Sequence, residues 1–221
     1  MSERFDCSDP AQREQGLTAA AAALRAGLLV VTPTDTVYGV AADPAQPGAV
    51  QALLAAKHRT AAAPPPVLIA GPGQLDELAA TVSPRLRRLA AAFWPGGLTL
   101  VVPAVSGLDW QLGETHGTIA LRVPDNEVAR DLLRRTGPLA VSSANLHEQP
   151  SALDIDAAQR RRAGTVAVYL DGGPTPGALS STIVVDDPAV PGGLRFLRHG
   201  AISDDRIRQA ADGPEATCAD T

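Results

Sequence analysis

Four consecutive aliphatic residues, Leu28 to Val31, run without a break into Thr32-Pro33-Thr34-Asp35-Thr36-Val37-Tyr38-Gly39. This junction limits the possible folds more than any other stretch. A strand that does not alternate apolar and polar residues is buried on both faces, as in a sheet layered between helices. The ends of such strands are where an α/β sheet opens to ligand. The hydroxyls, the carboxylate and the glycine that follow Val31 are therefore delivered to a cleft. Further on, Lys57-His58-Arg59 closes a helix with two fixed cations. A hydroxyl-rich loop facing a Lys-x-Arg pair suits a small anionic ligand such as a phosphate ester.

The rest of the chain repeats the pattern. Residues 11–26 predict an alanine-rich helix with Leu17, Ala20, Ala21 and Leu24 on one face, stopped by Gly27. A second helix starts at Pro47, and further helices are expected over 73–81, 84–93, 127–135, 154–162 and 204–211. After the strand at 28–31, strands are expected at 67–69, 98–102, 118–124, 139–141, 166–170, 182–185 and 194–197. Elements alternate in the first half and strands crowd the last third, which points to a mixed, twisted sheet with helices packed on it. Residues 1–10 read as a loose leader, 11–211 as a single domain and 212–221 as a disordered tail.

Composition excludes several classes. The net charge of −5 argues against a broad basic face for nucleic acid. Cys7 and Cys218 lie near opposite termini in stretches that read as poorly ordered, so neither a disulfide framework nor a metal site is expected from them. The four histidines lack metal-ligand spacing, no run has the length of a membrane span, and the N-terminus is no signal peptide. The default location is a reducing cytoplasm.

Strand ends collect one kind of chemistry. Thr34 and Thr36 follow the first strand, Arg122 lies near the end of another, Ser142, Ser143 and Asn145 follow the next, Ser180 and Ser181 precede a later one, and Arg198 follows the last. One such hydroxyl is usually a turn or a helix cap, whereas five places gathering hydroxyl, amide and guanidinium groups suggest a site. Lys57 is the single lysine in a chain with eighteen arginines, which suggests a need for a compact ammonium charge. Arg134-Arg135 and Arg160-Arg161-Arg162 read as solvated surface, and His147 and His199 as surface or supporting groups. Ser142-Ser143 has no Gly-x-Ser-x-Gly elbow, and the common phosphate loops are absent.

Taken in order, PTDTVYG at 33–39, KHR at 57–59, FWPGGLT at 93–99, TIALRVP at 118–124, SSAN at 142–145, SSTIVVD at 180–186 and LRHGAI at 197–202 resemble the YrdC-like family of L-threonylcarbamoyladenylate synthases. The resemblance covers residues 15–205 and implies an α/β fold, a twisted mixed sheet with flanking helices around a large, positively lined central cavity. It implies condensation of L-threonine, bicarbonate or CO2, and ATP to threonylcarbamoyl-AMP and pyrophosphate, with Mg2+ accompanying ATP. It further implies a downstream transferase complex that modifies tRNA. On this resemblance Lys57 and Arg59 face the phosphates as the catalytic cations. Thr34, Thr36, Arg122 and Ser181 surround L-threonine, with Arg122 on its carboxylate. Thr118, Ser143, Asn145, Ser151 and Arg198 complete the ATP site.

The chain departs from the family pattern at Thr60, Gly97, Leu68 and Leu146-His147-Glu148, the last nearest the nucleotide. Two other readings remain open: a carbamoyl-adenylating domain of the kind found in hydrogenase maturation proteins, and an RNA-binding or ribosome-assembly factor with weak affinity for RNA.

Overall fold

The computed structural model describes residues 2–46, 48–56, 62–145, 151–160 and 166–213. The helices are α1 (Pro10–Arg25), α2 (Ala49–Ala56), α3 (Gln74–Leu78), α4 (Pro84–Phe93), α5 (Glu127–Thr136), α6 (Ile155–Arg160) and α7 (Asp204–Asp212). The strands are β1 (Glu3–Asp6), β2 (Leu29–Thr32), β3 (Gly39–Ala42), β4 (Val67–Leu68), β5 (Leu98–Pro103), β6 (Thr118–Arg122), β7 (Leu139–Ser143), β8 (Val166–Asp171), β9 (Thr182–Asp186) and β10 (Leu194–Arg198). They form one sheet in the order β1-β8-β2-β3-β7-β4-β6-β5-β9-β10. Four neighbouring pairs are parallel and five antiparallel, so the sheet is mixed, as the crowding of strands in the last third predicts.

Local chemistry places the helix ends. Asp9 accepts the N–H groups of Ala11 and Gln12 ahead of Pro10 at the first turn of α1, and Ser83 and Asn126 cap α4 and α5 in the same way. Gly137 closes α5 at φ 84°, a left-handed conformation that glycine enters without strain.

Two expectations need correction. The leader is not loose: residues 3–6 form β1, parallel to β8, and Cys7 N–H donates to Asp171 O at 2.7 Å. Arg4 ties the strand down further by pairing with both Asp156 and Asp171 at 2.6 Å. The second omission is β3, which pairs antiparallel with β2 and β7 directly after the hydroxyl loop and turns that loop into a hairpin connection. The tail from residue 214 onward lies outside the described residues.

Cys7 is buried in the core beneath α1, and burial pushes its thiol pKa up to about 11. At pH 8 it stays a protonated thiol out of reach, so a colorimetric thiol reagent should modify Cys7 only after denaturation. Rapid modification mapped to Cys7 itself by mass spectrometry in the native protein, apart from any at Cys218, would contradict the burial of this segment.

The sheet is covered unequally. One core lies under α2, α3, α4, α6 and α7, around Leu53, Leu89, Leu100 and Leu121. The other lies between α1 and α5 and the opposite face of β2, β3, β7, β4 and β8, around Leu17, Leu132, Val141 and Leu170. Beyond β4 that second face carries Thr99 and Val101 on β5, Ala120 and Arg122 on β6 and Ile183 on β9, by alternation with core residues on the same strands. Neither core includes them. Among the described residues, no helix of either core covers this part of the face.

Candidate active site

Thr34 and Thr36 are buried between β2 and β3. Thr34 Oγ1 donates to Val37 O at 2.6 Å and accepts the N–H groups of Thr36 and Val37 at 3.2 Å each. A hydroxyl has one proton. In the 3.0 Å contact between Thr34 Oγ1 and Thr36 Oγ1, the proton therefore comes from Thr36, and Thr34 shares its two lone pairs among this donor and the two longer backbone contacts. Thr34 thus shapes the turn, and Thr36 presents the more available oxygen.

Arg122, 5% exposed, organises the wall opposite. Its Nη2 donates to Asp35 at 2.6 Å, Nη1 to Thr36 Oγ1 at 3.0 Å and Nε to Gly96 O at 2.9 Å. Asp35 also accepts the backbone N–H of Asp125 at 3.0 Å. Burial pushes the arginine's pKa down while Asp35 opposes that shift. The pair neutralises itself inside the protein, and two guanidinium N–H groups remain for a ligand.

From the far side, Arg198 at the end of β10 donates through Nε to Ser181 O and through Nη2 to Ser181 Oγ, both at 2.8 Å. Ser143 at the end of β7 donates to Asn145 Oδ1 at 2.5 Å. The neighbouring Ser142 Oγ is buried and meets no partner among the described residues.

A cavity of about 50 Å³ lies between these groups, lined by Thr34, Thr36, Arg122, Ser143, Ser181 and Arg198 among others. Six of the eleven expected site residues thus converge, from five separate stretches of sequence. A larger space of about 420 Å³ adjoins it at Pro66, with Thr118, His116, Ala120, Ile183 and Leu197 in its wall. Asn145 reaches the first cavity only through Ser143, and Ser151 is half-buried and lines neither space. Lys57 and Arg59 lie outside the described residues, as do Thr60 and Leu146-His147-Glu148. Among the described residues the cations in the lining are Arg122, paired with Asp35, and Arg198.

Three participants have roles that the sequence did not assign. Asp35 is the partner of an arginine far along the chain. Thr99, in the middle of β5, lies 2.7 Å from Ser181 Oγ through its own hydroxyl. Tyr38, fully buried, donates to Gly173 O at 2.7 Å and accepts the N–H of Gly172 at 3.0 Å, holding the segment after β8 against the hydroxyl loop.

Strand-end hydroxyls and two arginines gathered over a mixed sheet define an α/β protein with a polar cleft. The family model for Sua5, YciO and YrdC, described as "Telomere recombination", matches residues 22–200. A Mycobacterium leprae protein provisionally named threonylcarbamoyl-AMP synthase is 47% identical over 209 residues, covering 95% of this chain and 94% of that one. The threonylcarbamoyl-AMP synthase of Bacillus subtilis is 35% identical over 218 residues, covering 97% of this chain and 60% of that one. Among solved structures, Pyrococcus abyssi Sua5 complexed with L-threonine superposes with a TM-score of 0.83 at 29% identity, over 95% of this chain and 60% of that one. The chain thus spans nearly the whole mycobacterial relative but less than two thirds of the Bacillus and Pyrococcus proteins. It belongs to the Sua5/YciO/YrdC family.

Proposed function

We propose that this chain is a threonylcarbamoyl-AMP synthase, condensing L-threonine, bicarbonate or CO2, and ATP with release of pyrophosphate. The observation that carries the proposal is the convergence of Thr36, Arg122, Ser143, Ser181 and Arg198 on one cavity, in a family whose named members make this product. L-Threonine lies against Thr34, Thr36, Arg122 and Ser181, its carboxylate taking the N–H groups that Arg122 has left. ATP lies across Thr118, Ser143, Asn145, Ser151 and Arg198, and Lys57 and Arg59 face its phosphates.

The chemistry joins a carbamate oxygen to the α-phosphorus while the bond to pyrophosphate breaks. Two anions must approach, so the site works by neutralising and orienting charge. Arg198 is held by Ser181, and Thr36 by Arg122, so neither group needs to reorganise as the reaction proceeds. Among the described residues no group of three or more His, Cys, Asp or Glu side chains could hold a metal, and Asp35 is already taken by Arg122. This donor set does not fit a protein-held ion, and Mg2+ enters the proposal only as the counter-ion that ATP brings.

The product is an activated acyl-adenylate, and a separate transferase complex would pass it to tRNA, with only weak contact between this acidic chain and RNA. A cytoplasmic site of action is part of the proposal; no helix among the described residues is long and apolar enough to cross a membrane.

Purified protein given L-threonine, bicarbonate, ATP and Mg2+ should release pyrophosphate only when threonine is present, and mass spectrometry should detect threonylcarbamoyl-AMP. ATP turnover indifferent to threonine, beside an active control synthase, would end this reading.

A further inference from the structure

Thr99 is 0% exposed, and its hydroxyl has a single partner, Ser181 Oγ at 2.7 Å. A buried hydroxyl whose proton meets no acceptor carries a desolvation penalty. The Thr99 proton therefore points to Ser181. Ser181 Oγ already accepts from Arg198 Nη2 at 2.8 Å, so both of its lone pairs are filled. Among the described residues its own proton is left without an acceptor, and Ser181 lines the cavity. The alternative, in which Ser181 donates to Thr99, would strand the Thr99 proton in the core.

We propose that Thr99 is a positioning residue that makes Ser181 an obligate hydrogen-bond donor, so that this corner of the cavity receives an oxygen of L-threonine and rejects its ammonium group. Arg198 beside Ser181 acts in the same direction, since a guanidinium repels a second cation. Val101, Ile183 and Ala120 on the same sheet face carry no polar side-chain atom that could relay a different proton arrangement. The inference rests on the placement of L-threonine against Ser181 proposed above.

Calorimetric titration of L-threonine into the whole protein, with steady-state pyrophosphate release alongside, tests it. Thr99→Val keeps the shape of the side chain and removes the hydroxyl. It should weaken threonine binding roughly tenfold, the scale of one lost hydrogen bond. KM for threonine should rise in step, while kcat and KM for ATP change less than about twofold. Thr99→Ser should restore binding to near wild type. Ser181→Ala should lose as much as Thr99→Val, and the double variant no more than Ser181→Ala alone, because Thr99 acts only through Ser181.

Additive losses, wild-type affinity in Thr99→Val, or equal failure of Thr99→Ser would each overturn the proposal. If Thr99→Val does not fold, Thr99→Ala enters the same cycle with the same expectation. Wild-type protein that binds no L-threonine overturns both this inference and the proposed function, whereas a threonine-dependent wild type with an indifferent Thr99→Val overturns this inference alone.

Discussion

Arg122→Ala should lower the free energy of unfolding by about 3–5 kcal/mol, the range for breaking one partner out of a buried ion pair. The loss is that large because the alanine leaves Asp35 behind, with its side chain only 14% exposed and only the Asp125 N–H as a remaining donor. Thr36 Oγ1 and Gly96 O also lose their donors, so the hydroxyl loop and the turn before β5 come apart together. The unfolding midpoint should fall by something on the order of 10 °C. Adding Asp35→Asn should recover part of the loss, since an amide leaves no buried charge. Thermal unfolding of the two variants decides the matter: a single variant melting with wild type, or a double variant worse than the single, would mean that the Asp35–Arg122 pair does not hold this wall.

Gly200→Ala should have the larger effect on activity. A Cβ at Gly200 would lie 2.3 Å from Ser180 O and 2.6 Å from the carbonyl carbon and oxygen of Ser181, all backbone atoms that cannot rotate aside. The 180–181 segment must move, breaking the bond from Ala201 N–H to Ser180 O and shifting Ser181 relative to Arg198. A misplacement of about 1 Å in a positioning group costs on the order of a hundredfold in rate. Stability should fall by only about 1–3 kcal/mol, as for other overpacked sites. Gly71→Ala is the control, because a Cβ there meets nothing within 4 Å. Pyrophosphate release by Gly200→Ala within a few-fold of wild type would show that Ser181 and Arg198 are not where the substrate sits.

The residues that line the cavity were legible because each is a polar group at the end of an apolar run. Thr36, Arg122 and Ser181 prove buried and Ser143 and Arg198 half-buried, but the polar residue at each strand end can be seen without coordinates. Asp35 was legible only as a carboxylate in a loop. Its partner lies 87 residues away, and no spacing rule joins two strand ends across a sheet. Thr99 was hidden for another reason: a threonine between Leu98 and Leu100 is an ordinary β-branched strand residue, and only the register of β5 against β9 turns its hydroxyl toward Ser181.

The missed strands fail in the same way. β3 reads Gly-Val-Ala-Ala, in which only Val40 favours a strand, and is extended because β2 and β7 pair with it from both sides. β1 has one apolar residue, Phe5, among charged ones, so nothing in its own composition asks for a sheet. Helix interiors were read well, and their ends less so: the helix expected over 73–81 spans Gln74–Leu78, and the one expected over 154–162 is described over Ile155–Arg160.

β1 does more than extend the sheet by one strand. Without it, β8 would offer a row of unsatisfied amides and carbonyls to any extended chain that drifted past, with Val168 and Leu170 beneath it as adhesive. Glu3, Arg4 and Asp6 put charge of both signs along the new margin, where a second molecule would otherwise dock and seed aggregates. The first few residues thus act as a guard rail along this margin of the sheet.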